Sequence, residues 1–288
     1  MDLPLEALVC EQSGLSPLPD YPIAAIAADE DGLDVANDYW LRADPVHLVL
    51  QRDSFSLSEP CPLDVTPEHA QIILASFNAH FSQDGLKFSL GDSGAWYVSV
   101  AQSPQIKTIL PAVAVDKNIA HFMPQGANAK CWVSYLNEVQ MLLHGHAANI
   151  AREQAGELVI NSVWFSGGGA LPMPSTMRSN GDVDCLVGGG AFYKGLAKRA
   201  GLGYQLMPRA LPMIIAQRSA YQHVQMRLGQ DGLLEDTFQT LLQGLKANQI
   251  KQLVINLACY EKTLVAMINP IDLYKFWRKF KPVSAFLV

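Results

Sequence analysis

This chain reads as an α/β protein, with a mixed, mostly parallel sheet flanked by helices. Three features say so. Of its 288 residues 49% are hydrophobic and 17% charged, a balance that buries a large core. An apolar run, a glycine triplet and a downstream segment follow one another twice, at 158–165 with Gly167, Gly168 and Gly169, and at 184–187 with Gly188, Gly189 and Gly190. Strand, glycine loop and helix in that order are the grammar of a βαβ sheet. Finally, Trp132, Leu136, Val139, Leu143 and Ile150 fall on one face at helical period, which predicts a single helix over 131–152, stopped by Gly156.

The remaining elements follow along the chain. The first 40 residues hold Pro4, Pro17, Pro19, Pro22 and the acidic run Asp29-Glu30-Asp31, predicting an irregular strap with at best a short strand near 23–27. Thr66-Pro67-Glu68 supplies an N-cap, a proline at the first helical position and an acid in the first turn, and Ile73, Phe77 and Phe81 continue at four-residue spacing, so a helix begins there. Residues 86–90 and 96–100 flank Gly91-Asp92-Ser93-Gly94 as a hairpin. The second glycine triplet opens a helix over 191–199 closed by Gly201, and the last segment reads as a helix over 233–246, strands over 252–257 and 263–268, and a helix opened by Asn269-Pro270 that bears Leu273, Phe276, Trp277 and Phe280. The expected division is an N-terminal α+β region, 1–130, and an α/β region, 131–288, with one compact domain as the alternative.

A net charge of −6 argues against a general nucleic-acid binder, which draws its affinity from Lys and Arg on phosphates. No apolar run approaches the roughly 20 residues of a membrane span. The start, Met1-Asp2-Leu3-Pro4-Leu5-Glu6, is acidic and broken by proline where a secretory signal is basic and then apolar, so a cytoplasmic location is expected. Cys10, Cys61, Cys131, Cys185 and Cys259 are odd in number, with no Cys-x-x-Cys, and read as reduced thiols.

His144 and His146 stand two apart, so on a helix they point about 160° from each other and cannot chelate one ion; neither metal nor cofactor is expected. His146, Asn149 and Arg152 share an arc of about 120° on such a helix. They read either as a satisfied core histidine beside a surface arginine, or as an anion pocket in which Arg152 forks onto a carboxylate or phosphate. Gly188-Gly189-Gly190 lacks the lysine of a P-loop and the spacing of a dinucleotide loop, so it reads as close packing of strand on helix. Lys275, Arg278, Lys279 and Lys281 read as the solvated end of a final helix.

Across Asn137 to Gly201 the residues resemble a known family. His146-Ala147-Ala148-Asn149-Ile150-Ala151-Arg152, the strand Ile160-Asn161-Ser162-Val163-Trp164-Phe165-Ser166 running into Gly167-Gly168-Gly169, and Tyr193-Lys194-Gly195-Leu196-Ala197 leading to Gly201 are similar to elements of the archaeal-type cofactor-independent phosphoglycerate mutases of the alkaline phosphatase superfamily. That family has a His-Pro-x-Asn-x-x-Arg element, an Ala-Asn strand ending in a glycine turn and a Lys-Gly-Ile-Ala helix. Here Ala147 replaces the proline and Ser166 the turn arginine. The resemblance also implies a two-metal catalytic centre built from an amino-terminal Asp-Gly-x-Gly-Asp strand, a serine nucleophile and downstream Asp and His ligands. This chain offers Asp29-Glu30-Asp31-Gly32 and, after Gly201, the single histidine His223. The chain further resembles bacterial proteins of the pathogenicity-factor regulatory type.

The expectation is therefore a phosphoglycerate-mutase-like regulatory protein lacking the metal centre, which binds a small phosphorylated or carboxylated ligand through His146, Asn149, Arg152, Asn161, Gly167, Gly168, Gly169 and Lys194. One alternative is an active mutase or phosphoesterase, for which Asp29, Asp31, Asp44, His47 and Asp116 have to converge. A second is a module that binds a protein partner, marked by a filled His146 site and an exposed apolar patch.

Overall fold

The structure, a computed structural model, describes residues 5–35, 37–52, 54–174, 177, 183–206, 222–226, 234–259 and 262–275. Along the chain run α1 (Leu5–Gln12), α2 (Ile23–Glu30), β1 (Tyr39–Val46), β2 (Leu48–Leu50), β3 (Phe55–Leu57), α3 (Pro67–His80), β4 (Lys87–Leu90), β5 (Trp96–Val100), β6 (Ile106–Lys107), α4 (Pro111–Ala114) and β7 (Gln125–Gly126). They are followed by α5 (Ala129–Leu143), α6 (Ala147–Gln154), β8 (Ser162–Ala170), β9 (Cys185–Val187), α7 (Gly190–Ala200), β10 (Gly203–Gln205), β11 (Val224–Met226), α8 (Leu234–Lys246), β12 (Leu253–Cys259) and β13 (Lys262–Ile268). No helix among the described residues is long and apolar enough to cross a membrane.

The chain forms two compact units. One comprises Pro17–Met173 with Gly190–Gly195. Its frame is the four-stranded sheet β4-β5-β1-β8, antiparallel at every pairing. Helices α3 and α5 cover one face, where Leu41, Ala43, Phe77, Trp96, Trp132, Leu136 and Phe165 form the main core. On α3, Thr66 Oγ1 accepts the His69 amide as N-cap, as the sequence predicts. The predicted hairpin is β4–β5, paired Leu90 to Trp96.

The other unit comprises Met1–Ser16, Pro174–Gly189 and Leu196–Val288. It holds a parallel sheet, β10-β9-β11, and the hairpin β12–β13. The stretch from β9 through α7 to β10 is the predicted strand–glycine–helix unit, closed by Gly201 in the left-handed region at φ +68°.

Four expectations are corrected. Strand pairing is mostly antiparallel and not mostly parallel: Gly167, Gly168 and Gly169 lie inside β8 instead of in a turn after it, β8 pairs antiparallel with β1, and among the strands of the described residues only β10-β9-β11 are parallel. The proline-rich start holds α1 and α2 instead of a strap with a strand. The run Ile23-Ala24-Ala25-Ile26-Ala27-Ala28 has high helix propensity, and residues 24–28 are at most 1% exposed; buried all round, α2 lacks the amphipathic period that marks a surface helix. The helix expected over 131–152 is two, α5 and α6, broken at Gly145 with φ +66°. Beyond the break the phase changes, which leaves Ile150 47% exposed and turns Asn149 and Arg152 inward. Finally, Asn269-Pro270 opens as a 3-10 turn, Pro270–Tyr274, secured by a capping box with Asp272, and Lys275 pairs with Asp272. Leu233, Phe276, Trp277, Arg278, Lys279, Phe280 and Lys281 lie outside the described residues.

Candidate functional site

The break between α5 and α6 sets the local geometry. His146 is the N-cap of α6: its Nδ1 accepts the Ala148 amide at 3.2 Å and its Nε2 meets Ser76 Oγ of α3 at 3.0 Å. Ser76 Oγ in turn donates to the Ile72 carbonyl at 3.1 Å, so Nε2 is the protonated nitrogen of a neutral ring. Burial lowers the ring's pKa. The ring is half-buried, with both nitrogens partnered.

Asn149, 6% exposed, stitches α6 to the approach of β8. Its Nδ2 donates to the carbonyls of Leu143 at 2.9 Å and Ile160 at 2.7 Å, and its Oδ1 accepts the Ile160 amide at 2.9 Å. Asn161 does the same for β2, accepting the Leu48 amide at 2.7 Å and donating to the Leu48 carbonyl at 2.8 Å. Its amide group thus stands in for a neighbouring strand.

The structure does not gather the eight residues of the sequence expectation into one pocket. Three donors offered there to an anion already face carboxylates of this chain. The Gly168 amide donates to Asp20. Arg152, 3% exposed, donates from Nε to the Leu158 carbonyl at 2.8 Å and lies 3.1 Å from Glu157. Lys194 Nζ is 2.6 Å from Glu30. The flanking glycines serve packing: a Cβ on Gly167 would stand 2.9 Å from Ile23 Cβ, and one on Gly169 2.6 Å from Pro22 Cα. Only because these positions lack side chains does α2 lie directly on β8.

Asn149 and Asn161 do meet around one cleft of about 230 Å³. Leu48, Phe55, Leu143, Ile150 and Ile160 supply its apolar walls, and Glu153 is the only Asp, Glu, Lys or Arg in its lining. Two of the apolar wall residues are also solvent-exposed, Phe55 at 43% and Ile150 at 47%.

A second cluster escapes the sequence reading in part. On the α2 side of the sheet, Arg42 donates from Nε to Asp44 at 3.1 Å, with Nη2 bonded to the same oxygen, and lies 5.0 Å over the Tyr97 ring. Tyr97 and Ser93 hydroxyls each donate to Asp31 Oδ2 at 2.6 Å. Burial, then the bond to Asp31, raises the Tyr97 pKa against a lowering by Arg42; burial opposes the Arg42 charge, and Asp44 and Tyr97 outweigh it. Asp31 and Asp44, two of the five residues a metal-dependent enzyme requires, are engaged here by hydroxyls and a guanidinium. His47, a third, turns Nδ1 to the Val159 carbonyl at 2.8 Å. Among the described residues no group of three His, Cys, Asp or Glu side chains is placed to hold a metal. Among the described residues the carboxylates Asp31 and Asp44 do not fit a role in the two-metal centre that the resemblance implies, because Asp44 has its countercharge in Arg42 and Asp31 accepts two hydroxyls. The alternation Trp40, Arg42, Asp44 along β1 was the available signal for this cluster.

No protein-family model and no curated protein matches the chain. Among solved structures it is similar to the cofactor-independent phosphoglycerate mutase from Thermoplasma acidophilum DSM 1728, with a TM-score of 0.40 and 16% identity over 88% of this chain and 73% of that one. It is likewise similar to the PH0037 protein from Pyrococcus horikoshii, with a TM-score of 0.47 and 15% identity over 89% of this chain and 68% of that one. The chain is a mixed α/β protein with a distant structural similarity to one solved phosphoglycerate mutase.

Proposed function

We propose that this chain acts by binding and not by turnover, and that its cleft receives an apolar side chain of a partner protein, flanked there by a basic residue. The cleft itself is the observation behind this reading. Its volume of about 230 Å³ is below the roughly 300 to 1,000 Å³ of pockets that enclose cofactors and drug-sized ligands, and suits a single inserted side chain. Leu48, Phe55, Leu143, Ile150, Val159 and Ile160 give it an apolar wall beside the polar Gln140, His144, Asn149 and Asn161, a mixture found at the anchor point of an interface. Glu153, its one carboxylate, favours a cation beside the anchor and disfavours the small phosphorylated or carboxylated ligand of the sequence expectation. Regulation of that partner is the role this reading assigns to the chain.

Fluorescence anisotropy with a dye-labelled heptapeptide, one Phe between lysines, tests it. Phe55→Ser and Ile150→Ser, both at exposed positions, are expected to weaken binding about tenfold or more. Equal binding by wild type and both variants, or tighter binding of the same peptide with aspartates for lysines, contradicts the proposal.

A further inference from the structure

The His146 cap sits at the hinge of the cleft. Leu143 and Gly145 on one side of it and Asn149, Ile150 and Glu153 on the other all line the cleft, so the first turn of α6 forms part of the wall. That turn is held by an imidazole nitrogen acting as acceptor, where most N-caps use a hydroxyl or carboxylate oxygen. An oxygen of that kind keeps its lone pairs across the physiological pH range. Nδ1 keeps its only one while the ring is neutral.

We infer that His146 is a proton-operated latch: protonation at Nδ1 converts the acceptor that caps α6 into a donor facing the Ala148 amide, and the first turn of α6 loosens from the cleft. The consequence for docking rests on the reading of the cleft given above; the latch itself does not. The proton comes from solvent, the bond that breaks is Ala148 N–H to Nδ1, and the new N–H meets another N–H.

The groups around the ring favour this behaviour. From α3 it faces the Ser76 hydroxyl, whose own proton is committed to the Ile72 carbonyl. From α6 it faces the Ala148 amide, and α5 contributes the Leu143 carbonyl, which accepts the His146 amide at 3.2 Å. Charged groups on these helices are directed elsewhere: Glu138 of α5 to His80 of α3, and Arg152 of α6 to Leu158 and Glu157. Glu153 lines the cleft. His69 lies on α3 two turns from Ser76, about 10 Å along the axis. Burial alone accounts for the lowered pKa of His146, with no charge contributing. The sign follows. A histidine whose pKa is lowered by folding leaves the unfolded chain with more protons, so stability is full above the ordinary value of about 6.5 and is lost as pH falls below it toward the folded value.

Hydrogen exchange of the full chain, followed by mass spectrometry at pH 7.5 and 5.5 and corrected for intrinsic exchange, tests the latch. Residues 147–151 are expected to exchange about fivefold faster at the lower pH in wild type, the factor that a lost N-cap implies. His146→Asn, which keeps a capping acceptor that does not titrate, should remove this pH dependence, and His146→Ala should exchange fast at both pH values. Wild-type exchange in 147–151 that is the same at both pH values, or a pH dependence that survives in His146→Asn, overturns the inference. Anisotropy of the lysine-flanked Phe heptapeptide on the same samples separates the two readings: no binding at either pH removes the partner assignment and leaves the exchange result to decide the latch.

Discussion

The two faces of the sheet β4-β5-β1-β8 bury their residues by different means. Toward α3 and α5 the strands present Leu41, Ala43, Trp96, Val98, Val163 and Phe165, an apolar layer closed by shape. Toward α2 they present Arg42, Asp44, Tyr97, Ser99 and Ser166, of which Tyr97 and Ser166 are 0% and Asp44 4% exposed. Alternation of apolar and polar residues usually marks a strand with one face in water. Here the polar face is covered by a helix of alanines and isoleucines, and its charges are met by one another. An apolar face tolerates loss of a contact in proportion to the volume removed; a buried polar face fails when one partner goes.

That contrast is testable from its strongest consequence downward. Phe77→Ala, in the middle of the apolar layer, should cost roughly 3 to 5 kcal/mol in urea unfolding. Arg42→Met should cost about as much, because it leaves Asp44 buried without its countercharge, whereas Arg42→Met with Asp44→Leu should recover most of the loss. A double variant no better than the single one means the polar face is not held by charge pairing. Gly169→Ala comes next, at roughly 1 to 3 kcal/mol, since the new Cβ meets Pro22 backbone at 2.6 Å and α2 has to move. Smallest is Glu138→Gln at the exposed α3–α5 contact with His80, whose side chains are 41% and 37% exposed. It should shift the unfolding midpoint by less than about 0.5 kcal/mol equivalent, and vanish in high salt.

How much of this was legible in the sequence follows the same division. The α3 cap, the β4–β5 hairpin, α7 with its glycine stop and the β12–β13 pair all rest on local signals, and they stand where the residues put them. The apolar layer was legible too, because Trp132, Leu136, Val139 and Leu143 announce it by period alone. What the sequence could not show depended on distant partners. Gly145 ends α5 and rotates the following residues, so Ile150 moved out and Asn149 in. Asn149 and Asn161 find their acceptors in backbone 11 and 113 residues away. Gly167 and Gly169 read as a loop until α2 is seen lying on them. The Arg42–Asp44 pair is local, two residues apart on β1, but Tyr97, which bonds both Arg42 and Asp31, is 55 and 66 residues distant from them, so the extension of the cluster to Asp31 was invisible.

Docking at the cleft, against anion binding at the glycine strand, can be decided by amide chemical-shift mapping of the full chain with the lysine-flanked Phe heptapeptide and, separately, with inorganic phosphate. The peptide is expected to perturb Leu48, Phe55, His144, Asn149, Ile150 and Glu153, and millimolar phosphate to leave Gly167, Gly168, Gly169 and Lys194 unmoved. Phosphate shifts centred on those glycines, with the cleft residues silent toward the peptide, would contradict docking at the cleft.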